Sequence, residues 1–216
     1  MHPYDLVKAY YLVSISWFAV LPVIAQTQFF TFGVKGGVPA QTPLGQTDSQ
    51  MPFVLGPIVN VRISSRISVE TGVLFHRLGQ QMNTSAFQYP ENAVTINYST
   101  ERGRAIELPF LAKVYLLGER RTWRPFVAAG PSVRRTSLEA NNLFTVLSSS
   151  PLVGSAPQSL NTKTVKWNVD PVIGTGIDFR TGRFHLEPEV RYSYWGSGKN
   201  SAVRKNQVEF LLGFRF

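Results

Sequence analysis

Glu187 and Glu189 stand two residues apart, and Arg191 follows two residues later. On an extended chain that spacing puts all three side chains on one face. Two carboxylates held side by side can serve as general acid and base. With cations in reach they do something plainer, because a buried charge needs a partner. Arg191, Arg215 and Lys113 are available, so pairing is the expected outcome. His76 and His185 are the only histidines after His2. A hydrolytic site would need one of them beside a nucleophile or an acid, and no nucleophile motif accompanies either. Cysteine is absent, which excludes thiolate chemistry, disulfides and Cys-ligated metal. Gly33, Gly36 and Gly37 are not a phosphate loop, since no helical pattern follows them. No catalytic residue, cofactor or metal is therefore expected.

The elements that must position these residues are strands. In the segment Gln207–Phe216, Val208, Phe210, Leu212, Phe214 and Phe216 fall on one side. Gln207, Glu209, Gly213 and Arg215 fall on the other, with Leu211 an apolar intruder. A ribbon with one greasy and one charged face suits a wall with lipid outside. Seven similar ribbons lie upstream, at about 29–38, 51–63, 67–78, 105–117, 123–138, 164–179 and 183–195. Their connections alternate long and short: 39–50, 64–66, 79–104, 118–122, 139–163, 180–182 and a medium 196–202. Outer-membrane barrels put short turns in the periplasm and long loops outside, so the alternation predicts the topology. The expected fold is an all-β, eight-stranded antiparallel up-and-down transmembrane β-barrel. His76 then lies near the outer end of its strand and His185 near the periplasmic rim, too far apart for one site. Prolines at 57, 109, 125, 131, 171 and 188 each remove a ladder donor, and bulges or bends are expected there.

The amino terminus is read separately. Residues 9–25 form an apolar run after Lys8, ending in Val23-Ile24-Ala25, shorter than the roughly 20 residues of a spanning helix. This predicts a signal peptide over 1–25 and a barrel domain over 26–216. The chain carries 22 basic and 13 acidic residues, a formal charge of +9. In an exported protein that balance points to anionic lipid head groups or surface polysaccharide, not to nucleic acid. A soluble lipocalin-like barrel would put the apolar face inside and the charges outside. The aromatic density of the apolar face argues against it.

Phe32-Gly-Val-Lys-Gly-Gly-Val38, Ile106-Glu-Leu-Pro-Phe-Leu-Ala-Lys-Val-Tyr115, Pro125-Phe-Val-Ala-Ala-Gly-Pro131 and Phe214-Arg-Phe216 together resemble a known family. It comprises the small outer-membrane barrels of the porin superfamily, PorT-like and OmpA/OmpX-like. The resemblance spans residues 26–216 and implies a bacterial outer-membrane location; it carries over no catalytic residue.

An eight-stranded barrel is filled by its own side chains. The inward face holds Lys35, Arg62, Lys113, Arg124, Arg134, Arg191 and Arg215 against Glu70, Glu107, Asp170, Asp178, Glu187, Glu189 and Glu209. Equal numbers of each sign predict a salt-bridged plug. Arg102, Arg104, Arg135 and Lys163 lie near the bases of the long loops, where lipopolysaccharide phosphates would be in reach. The expected protein is a monomeric, non-enzymatic outer-membrane barrel that displays loops in a structural or adhesive role. Its partners would be outer-membrane lipid, lipopolysaccharide, an extracellular ligand and an assembly machinery that reads Phe216. The competing classes are a narrow pore for small solutes and a lipid-modifying enzyme.

Overall fold

The computed structural model describes residues 29–41, 44, 51–88, 93–118, 121–148, 158–195 and 203–216. The expected signal peptide lies outside the described residues. The strands are β1 (Phe30–Pro39), β2 (Phe53–Arg62), β3 (Ile67–Gly72), β4 (Leu74–Gln88), β5 (Ala93–Tyr115), β6 (Trp123–Ser148), β7 (Gln158–Thr181), β8 (Phe184–Tyr194) and β9 (Asn206–Arg215). Every pairing is antiparallel and, with β3 and β4 taken as one unit, joins strands consecutive in the chain except at the closure. The ring closes where β1 meets β9, from Gly33↔Arg215 to Pro39↔Glu209. A closed ring leaves no unpaired edge within the hydrocarbon layer.

The nine strands make eight staves, because β3 and β4 are one stave interrupted at Val73. The interruption lies opposite Pro57. The Val73 amide donates to the Pro57 carbonyl at 3.0 Å, but proline has no N–H to return the bond. Pairing with β2 resumes in the same register, Ile58↔Gly72 on one side and Leu55↔Phe75 on the other.

The prolines thus correct one expectation. Ladder pairs drop out beside Pro131 and beside Pro188, yet the register on either side is unchanged. Pro171 sits directly opposite Pro131 within an unshifted ladder. Losing one donor opens a gap but adds no residue, and only an added residue makes a bulge. Among the described residues the register shifts instead between Arg77 and Gly79, where Gly79 has φ 93°. Glycine takes that conformation without the Cβ clash.

The long connections are a second correction. Most of 79–104 and 139–163, expected as loops, is strand. β4 and β5 pair out to Gln88↔Val94, and β6 and β7 out to Phe144↔Gln158. β2 stops at Phe53 and β8 at Tyr194, so a four-stranded sheet rises beyond the ring. The β4–β5 hairpin alone adds about 30 Å along the strands, at roughly 3.3 Å per residue. Backbone pairing in water needs no greasy face, so apolar–polar alternation gave no sign of it.

Side chains divide as the alternation requires. Phe110, Val127, Ile173, Phe210, Leu212 and Phe214 are exposed on the outside, whereas Lys35, Glu70, Lys113, Glu187 and Arg191 are fully buried inside.

Candidate functional site

The lumen is layered along its axis. At its centre Lys35, from β1, reaches across to three carboxylates: Glu70 at 2.6 Å, Glu189 at 2.6 Å and Glu187 at 3.4 Å. Lys113, from β5, contacts Glu70 at 2.5 Å and also pairs with Glu187. Arg191 donates from Nε to Glu189 at 2.8 Å and from Nη2 to Glu70 at 3.0 Å. Three cations thus interleave with three carboxylates, all without solvent exposure. The three glutamate oxygens are close enough together to hold a metal ion. The two ammonium groups already occupy that position, so the donor set does not fit a resident metal. Close approach is possible because β9 presents Gly213. A Cβ there would lie 3.3 Å from Lys35 Cε, tighter than most Cβ contacts.

Toward the long-hairpin end lies a second layer. Arg134 bridges Glu107 and Asp170, each at 2.8 Å. His76 sits between Glu107, at 2.9 Å from Nε2, and Glu209, at 3.3 Å from Nδ1. The Arg134 guanidinium lies 3.8 Å from the centre of the Trp195 ring, and His76 meets the same ring edge-on at 6.0 Å. Above them Leu44, Leu78, Ala105 and Trp195 form a buried apolar cluster, with Leu138 and Val203 against it. Leu44 comes from the β1–β2 connection and is 1% exposed. This end of the lumen has a greasy lid.

The short-turn end is different. Arg215 reaches Glu187 at 2.7 Å and Asp178 at 3.1 Å, and Asp178 also holds His185 Nδ1 at 2.8 Å. Arg124 stacks on Tyr115, 4.0 Å from the ring centre, and donates to the Ser65 carbonyl at 2.9 Å. Below these groups a cavity of about 260 Å³ opens between the short turns.

The residues read from sequence as lumen charges, Glu70, Glu107, Lys113, Arg134, Glu187, Glu189, Arg191, Glu209 and Arg215, all stand in these layers. His76 and His185 lie in separate layers and share no partner. Parity placed His76 inside, but nothing in the sequence showed that Glu107 and Glu209 would clasp it. Nor did any signal mark Leu44, which lies outside the strands.

Of the four residues expected to meet lipopolysaccharide, Arg102 and Arg104 share the outer wall with Arg77 around a cavity of about 350 Å³ whose floor includes Phe53 and Phe75. Arg102 is held by Gln80, whose side-chain oxygen accepts from Nε at 3.0 Å. Arg135 is not among the cavity's residues; it lies 5.9 Å from the centre of the Trp167 ring. Lys163 is turned to Glu139 at 3.2 Å.

A family model for the outer membrane protein beta-barrel domain matches residues 24–196. The chain belongs to that family. It is accordingly a protein of the bacterial outer membrane, with lipid against its exposed apolar face. No curated protein matches it in sequence. Among solved structures, it is similar to the N-terminal β-barrel domain of Pseudomonas aeruginosa OprF at 12% identity and TM-score 0.47, covering 87% of this chain and 96% of that one. Neisserial surface protein A matches at 15% identity and TM-score 0.47, over 87% and 95% of the two chains. The attachment invasion locus protein Ail of Yersinia pestis matches at 11% identity and TM-score 0.36, over 87% and 97%.

Proposed function

We infer that this family member is a non-enzymatic stave: a plugged barrel that anchors a projecting β-sheet at the cell surface. The observation that supports it most is the combination of a saturated central charge layer with an apolar lid above it. A solute entering from outside would have to displace Trp195 and Leu44 and then separate Lys35 and Lys113 from three carboxylates. With the short turns in the periplasm, the β4–β7 sheet stands outside the cell as the surface for an extracellular ligand. His76 fixed between Glu107 and Glu209, and His185 held on Asp178, with no nucleophile paired to either among the described residues, do not assemble a hydrolytic site. The decisive experiment is ion conductance of the purified protein in planar bilayers. A plugged barrel gives no single-channel steps; regular steps would make it a pore and end this reading.

Lipopolysaccharide is the partner that the outer wall favours. By register Arg77 and Arg104 stand two residues beyond the exposed pair Phe75 and Ile106, with Arg102 two residues further on. That order, cation over apolar belt, matches a phosphate over acyl chains. Replacing Arg102 and Arg104 together by Ser should weaken retention of lipopolysaccharide during detergent purification, while Lys163→Ser leaves it unchanged because Lys163 is turned to Glu139.

A further inference from the structure

The open end of the lumen carries a feature that the plug does not need. The cavity between the short turns is lined by Thr31, Asn60, Ser68 and four arginines, Arg62, Arg124, Arg180 and Arg215; Asp178 is the one carboxylate in the lining, and Arg215 also pairs with Glu187 behind it. Asp178 is already committed to His185 and Arg215. Four buried polar atoms of this lining have no protein partner: Asn60 Nδ2, Ser68 Oγ, Arg124 Nε and Arg215 Nε. The residues that bear them are 2–9% exposed. Three of these atoms can only donate, and a serine hydroxyl can donate as well. Buried donors of this kind are normally satisfied. Unpartnered buried donors occur in the other layers as well, Arg191 Nη1 and Trp195 Nε1 among them, but here they stand on residues that line an open, arginine-rich cavity, where an acceptor from outside the chain can enter.

We propose that the short-turn mouth of the barrel is a binding site for a small phosphate-class oxyanion, the free ion or a phosphomonoester, entering from the periplasmic side. The volume decides the size class. At about 260 Å³ the cavity falls below the roughly 300–1,000 Å³ of sites that take drug-sized ligands. The charge decides the chemistry, because arginine forks match the paired oxygens of a phosphate better than they match a halide. Entry is axial. The charge layer of Lys35, Lys113 and Arg191 closes the far side, so the site is a blind vestibule and the anion does not cross. This role is separate from surface display and survives if the display reading fails.

Isothermal titration of the detergent-purified protein with inorganic phosphate, in a phosphate-free buffer of constant ionic strength, tests the proposal. Saturable one-site binding is expected, with acetate and chloride competing poorly. Arg124→Gln and Asn60→Asp should each weaken binding about tenfold or more, as loss of a charge-assisted bond does. Heat-modifiable gel mobility verifies that both variants are folded. Arg204→Gln, near the opposite end and bonded to Gln41 at 2.7 Å, should bind as the parent does. Absence of a saturable signal, displacement by chloride at equal concentration, or unchanged affinity in both folded variants would overturn the site. In the first case water alone serves those donors.

Discussion

The two ends of the lumen use the same residue types to opposite effect. At the long-hairpin end Arg134 has two carboxylates and an aromatic face, and an apolar cap covers the whole group. At the short-turn end four arginines line an open cavity in which Asp178 is the one lining carboxylate, while Arg215 also reaches Glu187 behind it. A buried cation is stable when its charge and its donors are both matched. Where they are matched, the chain can exclude water and close the barrel. Where donors exceed acceptors, the mouth must stay in contact with solvent or with an anion. The difference follows from partner count: two carboxylates serve the one arginine described at the closed end, whereas four arginines share one lining carboxylate at the open end.

The sharpest way to break the comparison is through the centre that both ends share. Lys113→Met leaves Glu70 and Glu187 with one cation fewer, and should lower stability by about 3–5 kcal/mol in urea titrations of the folded barrel, as removal of one partner of a buried pair does. Adding Glu187→Gln to that variant should recover part of the loss. If the single variant proves as stable as the parent, the central layer is not a compensated cluster. Removing the lid comes next. Trp195→Ala should cost about 3 kcal/mol at the long-hairpin end. It should still give no conductance, because the charge layer beneath it remains. Steps appearing in this variant alone would assign the seal to the lid. The wall supplies a third effect of similar or smaller size. Phe210→Arg on the outward face should destabilise by about 2–4 kcal/mol if that position sits near the bilayer midplane, while a neutral result would put Phe210 at the water interface. The smallest effect belongs to the open end. Arg124→Gln loses a stack on Tyr115 and one bond to Ser65, worth about 1–2 kcal/mol together. A loss as large as that of Lys113→Met would mean that the two ends are equally committed to stability.

Much of the wall is legible in the sequence. Alternation told Phe210 from Glu209 and Ile106 from Glu107, because a two-residue period is a local property of an extended chain. The long hairpins were not readable, since residues such as Asn97 and Thr162 pair in water with no apolar face to mark them. The prolines misled for a related reason. Their effect on a ladder depends on whether the partner strand can hold register on both sides, which is decided across the sheet.

From its sequence alone, this chain determined eight staves, their facing and the set of charges that must lie inside. Only closure of the ring decided which of those charges meet. Lys35 contacts Glu187 and Glu189 from more than 150 positions away in the chain. Leu44 becomes a lid only because the wall curves round to Trp195 and Leu78. The facing of a side chain depends on its own backbone and needs a few residues of information. Pairing across a lumen depends on strand register and curvature, and those belong to the assembled sheet.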